Sequence, residues 1–181
     1  IRYNSEKKIF HWQNLVNLAA LPVDRERTWN SATWRGVVRY DLAQNANVYF
    51  SASTGFKSGV YNAYSSLGIP VNPEKVTAFE LGAQNDLFDR LLRLKVAGFI
   101  KNYRGLKSSV TKMGSVRAEN VTTNIAAAKI YGFEVESVLR PATGFSIGAN
   151  VAYLHARYTD FCADTNGVFT NGAPETGQCG P

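Results

Sequence analysis

The stretch Pro73–Tyr103 constrains the fold more than any other part of the chain. It holds two segments of strict alternation joined by a short polar turn. In Lys75–Gln84 the odd positions are Lys75, Thr77, Phe79, Leu81 and Ala83, and the even positions include Glu80, Gly82 and Gln84. In Leu92–Asn102 the even positions Leu92, Leu94, Val96, Gly98 and Ile100 form an apolar row, with Arg93, Lys95 and Lys101 on the opposite face. Successive side chains of a strand leave opposite faces, so a period of two predicts strands. Asp86–Arg90 is too short for a crossover, which makes the pair an antiparallel hairpin.

An antiparallel sheet commonly buries one face and wets the other. Two features point elsewhere. Each segment is about 10 residues long against the usual five or six, and the charges sit mid-strand. A transmembrane β-strand needs about 9–11 residues, apolar toward lipid and polar toward the lumen. The 181 residues suffice for a domain with a core, and 45% hydrophobic content fits a soluble protein or a barrel whose strands are half apolar. No run of about 18 apolar residues predicts a transmembrane helix. The start, IRYNSEKKIF, has no signal-peptide core and reads as the middle of a protein.

The net charge of +6 is spread along the strands, whereas a nucleic-acid binder would cluster it, so no nucleic-acid partner is expected. His11 and His155 have no catalytic partner at a recognisable spacing, and neither a GxSxG motif nor a phosphate-cradling glycine loop occurs. Glu80, Glu134 and Glu136 could be read as paired carboxylates for glycoside hydrolysis, but charges facing a lumen already account for them. The chain is expected to be no enzyme and to carry no cofactor or metal.

Along the chain, Ile1–Lys7 reads as the end of a strand and Lys8–Asn30 as a long connection. Alternation then marks strands at Ala32–Leu42, Asn47–Lys57, Ile130–Leu139 and Phe145–Tyr158, besides the two of the central hairpin. Ser58–Asn72 and Arg104–Asn124 read as long loops. Connections therefore alternate short and long, as in outer-membrane barrels with short periplasmic turns and long extracellular loops. Trp34, Phe56, Tyr103, Tyr153 and Tyr158 fall at outer ends, and Phe88 and Phe145 near inner ends, as two interfacial girdles would require. Cys162 and Cys179 flank a segment rich in Gly, Asn, Thr and Pro. A bridge between them would stabilise that loop by about 3 kcal/mol and implies an oxidising compartment; the alternative is two free thiols.

Three motifs carry a family resemblance: NVYFSASTGFKSGVYN at Asn47–Asn62, VNPEKVTAFELGAQNDLFDRLLRLKVAGFI at Val71–Ile100, and KIYGFEVESVLRPATGFSIGANVAYLHARYTDF at Lys129–Phe161. In order and spacing the chain resembles the TonB-dependent receptors of the Gram-negative outer membrane. The resemblance implies an all-β fold, an antiparallel transmembrane β-barrel segment of about seven strands in an up-and-down meander, part of a barrel wall. Barrels of this kind have 22 strands and a plugged lumen. The family's plug domain, its TonB-contacting segment and its final strands do not occur in these residues, so the expectation is one segment of a larger receptor.

The activity implied is energy-coupled import of a bulky nutrient complex, foremost a ferric siderophore. The implied partners are outer-membrane lipid, the TonB complex in the full-length receptor, and the ligand. The expected lumen-facing residues are Arg35, Arg39, Asp41, Glu80, Arg93, Lys95, Lys101, Glu134 and Glu136, with Glu80 set to pair with Arg93 or Lys95 across strands. Tyr61 and Tyr64 are candidate ligand contacts in an extracellular loop, packing against neighbouring loops being the alternative. Two other readings remain: a passive porin-like channel, and a soluble β-sandwich binding module.

Overall fold

The computed structural model describes residues 1–13, 22–62, 68–113, 118–162 and 179–180. In chain order the strands are β1 (Arg2–Trp12), β2 (Val23–Thr33), β3 (Arg35–Ala43), β4 (Ala46–Lys57), β5 (Val60–Tyr61), β6 (Pro70–Val71), β7 (Glu74–Leu87), β8 (Leu92–Met113), β9 (Ala118–Ala142), β10 (Phe145–Cys162) and β11 (Cys179–Gly180). The main sheet has the order β11-β10-β9-β8-β7-β4-β3, every neighbour antiparallel, and β1–β2 and β5–β6 form separate two-stranded ladders. This is the expected up-and-down meander, in an open sheet.

Three short turns lie at one end of the sheet, after β3, β7 and β9. The turn between β7 and β8 carries Phe88, Asp89 and Arg90 at φ of 53°, 53° and 70°, a region a bulky residue such as Phe88 seldom adopts. Two backbone bonds hold it: Leu91 N–H donates to the Phe88 carbonyl (3.0 Å) and Arg140 N–H to the Leu91 carbonyl (2.8 Å). The second ties this hairpin to β9.

Register stacks the side chains into cross-strand rows. On one face, Val48, Ala83, Val96, Val135 and Val151 form a row, followed by Phe50, Leu81, Gly98, Phe133 and Tyr153, then by Ala52, Phe79, Ile100, Tyr131 and His155. These rows are not covered: Val38 is 70% exposed and Leu81 63%. A β-sandwich would bury them under a second sheet, so the sandwich reading is excluded. Ring pairs Phe50–Phe79 (6.3 Å) and Phe133–Tyr153 (5.8 Å) stack across this face. Of the aromatics expected at the outer ends, Trp34, Phe56 and Tyr153 share it. Tyr103 and Tyr158 do not: both pair with Ala128, on the opposite face.

Two expectations are corrected. Lys8–Asn30 is not a simple connection; Lys8–Trp12 completes β1, and Val23–Asn30 belongs to β2. Likewise Arg104–Asn124 is not a loop, because β8 runs on to Met113 and β9 begins at Ala118. These stretches lack alternation because burial along them falls on isolated side chains such as Phe10 and Trp29 and not on a continuous apolar face, while cross-strand hydrogen bonds and β-branched residues still favour a strand. At Trp34, β2 hands over to β3. Trp34 accepts a bond from Thr54 N–H (2.9 Å) and its own N–H donates to Thr54 Oγ1 (3.1 Å), so the ladder with β4 starts there.

Among the described residues buried apolar side chains are few, as a single-layer sheet requires. Phe10, Trp29, Val71 and Ile125 gather at the long-loop end, and Phe99 lies on the polar face. On that polar face glycines receive aromatic rings. A methyl on Gly82 would collide with the Tyr49 ring, and one on Gly132 with the Tyr153 carbonyl and the edge of Phe99.

Candidate functional site

The polar face of the main sheet brings together all nine of the charged residues expected on it. One cross-strand row reads Asp41, Asn47, Gln84, Lys95, Glu136 and Asn150; another reads Val37, Ser51, Glu80, Phe99 and Gly132. Arg93 and Asp86 lie directly opposite, and the guanidinium donates twice to the carboxylate, Nε to Oδ1 at 2.7 Å and Nη2 to Oδ2 at 3.0 Å. Lys95 Nζ donates to Glu136 Oε2 (3.1 Å) across the β8–β9 ladder, and Arg39 Nε to Asp41 Oδ1 (2.8 Å) along β3.

The pairing expected for Glu80 is corrected. Register sets it opposite Phe99, out of reach of Arg93 and Lys95, and it accepts a bond from the Tyr49 hydroxyl (2.8 Å). Lys101 Nζ sits 4.7 Å from the Phe99 ring centroid, a cation–π contact. Arg35 and Glu134 form no ion pair among the described residues. The face is thus an alternation of paired and open charges around two rings, Tyr49 and Phe99.

A second cluster, at the long-loop end, was not legible in the sequence as a unit. Tyr61 of β5 packs on Phe10 of β1 (centroids 5.5 Å) and on Trp29 of β2 (5.9 Å). The candidate ligand contact Tyr61 is therefore packed against β1 and β2. Gly59 fits against the Trp29 indole where any Cβ would collide, and Gly68 takes φ of 59° beside Phe10 and Arg25. Asn62, buried, clips this layer to β9: its Nδ2 donates to the Thr122 carbonyl (2.8 Å) and its Oδ1 accepts from Thr122 N–H (2.7 Å). Asn124 does the same for Asn72, accepting from its N–H (2.8 Å) and donating to its carbonyl (3.0 Å). Lys107 Nζ donates to the Ser58 carbonyl (2.6 Å), and Lys107 N–H to Glu74 Oε1 (3.0 Å). Tyr64 lies outside the described residues. The backbone register places Cys162 opposite Cys179.

An open antiparallel meander with an exposed apolar band on one face and paired and open charges on the other is the wall of a transmembrane β-barrel. The chain belongs to the family of TonB dependent receptor-like β-barrels, whose model matches residues 2–177. It is an outer-membrane protein segment of that family, and in barrels of this kind the short turns are periplasmic and the long loops extracellular. No curated protein matches the sequence.

Among solved structures, the chain is similar to the ferric yersiniabactin uptake receptor FyuA from Yersinia pestis, at 20% identity and a TM-score of 0.66, over 87% of this chain and 23% of that one. It is similar to the siderophore receptor PiuA from Acinetobacter baumannii, at 19% identity and 0.60, over 88% and 23%. The alcaligin outer membrane receptor FauA from Bordetella pertussis follows at 19% and 0.54, over 76% and 24%. The chain thus spans about a quarter of the length of these receptors.

Proposed function

We propose that these residues form part of the barrel wall of a receptor that imports a ferric siderophore, or a similar bulky nutrient complex, with energy supplied through the TonB complex. The observation that carries this reading is the division of faces: an apolar band toward lipid, and Arg35, Arg39, Asp41, Glu80, Arg93, Lys95, Lys101, Glu134 and Glu136 on the other, which we take as the lumen wall. Strands β8 and β9, 22 and 25 residues long, exceed the roughly 9–11 needed to cross the bilayer and carry the wall outward. Family membership and the names of the similar solved receptors point to the same class of cargo. Open cations on such a wall attract anionic iron complexes, whereas the paired ones serve mainly the wall itself.

The test is uptake of radiolabelled iron by iron-starved cells that depend on the complete receptor, with and without TonB. Accumulation that needs both receptor and TonB supports the reading. Diffusive uptake of small solutes that ignores TonB would establish the porin-like alternative instead.

We also propose that Cys162 and Cys179 form a disulfide that closes the outer loop, since the register brings their backbones together in an extracellular segment. The intact receptor should resist alkylation at both positions until reduced. Labelling of both thiols without reductant would sink the bridge.

A further inference from the structure

Where the apolar band gives way to the extracellular end, the lipid-side face turns basic. Lys75 of β7 lies directly opposite Arg104 of β8, and Lys129 of β9 directly opposite Arg157 of β10. All four share the face of Phe79, Ile100 and Tyr131. Like charges placed directly opposite on one face of a sheet are destabilising, and here two such pairs stand on four adjacent strands, about 14 Å across at ordinary strand spacing. On the polar face the cations are largely matched, Arg93 with Asp86, Lys95 with Glu136 and Arg39 with Asp41. None of the four basic residues on the lipid side forms an ion pair among the described residues. The acidic residue that follows them on β10, Asp160, is itself engaged.

We propose that Lys75, Arg104, Lys129 and Arg157 bind the phosphates of an anionic lipid of the outer leaflet. The position selects a lipid over a free ion. Acyl chains would lie along the apolar rows below, and a phosphate at the end of those rows would face both like-charge pairs and relieve their repulsion. The positive surface of juxtamembrane clusters attracts anionic headgroups in the same way. The inference rests on the barrel reading for its orientation and is independent of what the receptor imports.

The test uses the complete receptor, purified in zwitterionic detergent, with bound lipid counted by native mass spectrometry. The probe is lipid A bearing two phosphates, against the same lipid dephosphorylated. The wild type is expected to bind the phosphorylated form selectively, with about a five-fold loss for each charge removed. The fourfold variant Lys75→Gln, Arg104→Gln, Lys129→Gln, Arg157→Gln is expected to bind both forms alike. Lys7→Gln, on β1, is expected to bind as the wild type does. Equal binding of both lipids by the wild type, or undiminished selectivity in the fourfold variant, overturns the proposal. So does full displacement by inorganic phosphate at matched phosphate concentration. If the fourfold variant fails to fold, the double variant Lys129→Gln, Arg157→Gln gives the same reading with two charges. Heat-modifiable migration of the wild type separates the two failures: its loss would refute the barrel, while its presence without lipid selectivity refutes only the phosphate site.

Discussion

At Gly132 the backbone of β9 comes so close to the Tyr153 carbonyl of β10 that a Cβ has no room, and the Phe99 ring closes the space from the other side. A carbonyl held in a ladder cannot rotate away, so the cost falls on the strand. Overpacking of this kind costs about 1–3 kcal/mol. Gly148, one strand over, meets its nearest atom at 3.9 Å and has ordinary room. Gly132→Ala should therefore lower the urea midpoint of the refolded receptor clearly, while Gly148→Ala leaves it nearly unchanged. Equal midpoints for the two variants would refute the steric account. The same position explains why Glu80 stands apart from the cations. Its register neighbour is Phe99, whose ring covers Gly132, and among the described residues its hydrogen-bond partner is the Tyr49 hydroxyl.

Among the described residues Asn62 supplies two of the bonds that hold the extracellular layer. Asn62→Ala would strand the half-buried Thr122 N–H and carbonyl, at a cost below the ~1–3 kcal/mol of a fully buried unpaired group. We expect amide exchange at Thr122 to accelerate and the loop between β4 and β7 to become cleavable by protease, with the urea midpoint of the barrel unmoved. Cleavage no faster than in the wild type would show that the layer is held elsewhere.

Lys107, in the same layer, has its amine pushed below the usual lysine range, first by burial, with Lys57 and Lys8 adding and Glu74 and Glu6 opposing. Its pKa is thus lower folded than unfolded, so between the two values the unfolded chain binds the extra proton and stability of the layer rises with pH. Trp29 fluorescence, in a background lacking Trp12 and Trp34, should report firmer packing as pH climbs toward the ordinary lysine pKa of 10.5. Lys107→Met should abolish that slope, and a slope that survives the substitution would assign it to another group. What was legible in sequence follows from solvent. Inside the bilayer one face meets lipid, so β7 and β8 alternate and could be read. Above it no continuous apolar face is required and burial falls on single residues such as Phe10, Trp29 and Ile125, so β1, β2 and the upper parts of β8 and β9 show no period. The charge partners needed register: once Leu87 pairs with Leu92, Arg93 must face Asp86, and the pairing of Lys95 with Glu136 depends on β9 as well.

On the scale of the whole molecule, the sheet has an order but no closure. Among the described residues β3 is bonded on one side only, to β4, leaving the other edge of Arg35–Ala43 without a ladder. Water can satisfy such groups, whereas the hydrocarbon core cannot, and each unsatisfied group there costs several kcal/mol. The two requirements conflict in a polypeptide of residues 1–181 alone: the exposed band from Val48 to Val151 favours lipid, and the open edge forbids it. Neither water nor bilayer is then a good solvent for the monomer, and edges of this kind pair with other chains. We expect residues 1–181, refolded in detergent, to give mixed oligomers with no heat-modifiable monomer. The complete receptor under the same conditions should give one heat-modifiable species several times the 19.9 kDa of this segment. A monodisperse monomer of residues 1–181 in plain buffer would contradict the membrane assignment of the apolar face, because rows as exposed as Leu81 and Val38 cannot remain soluble without a covering layer.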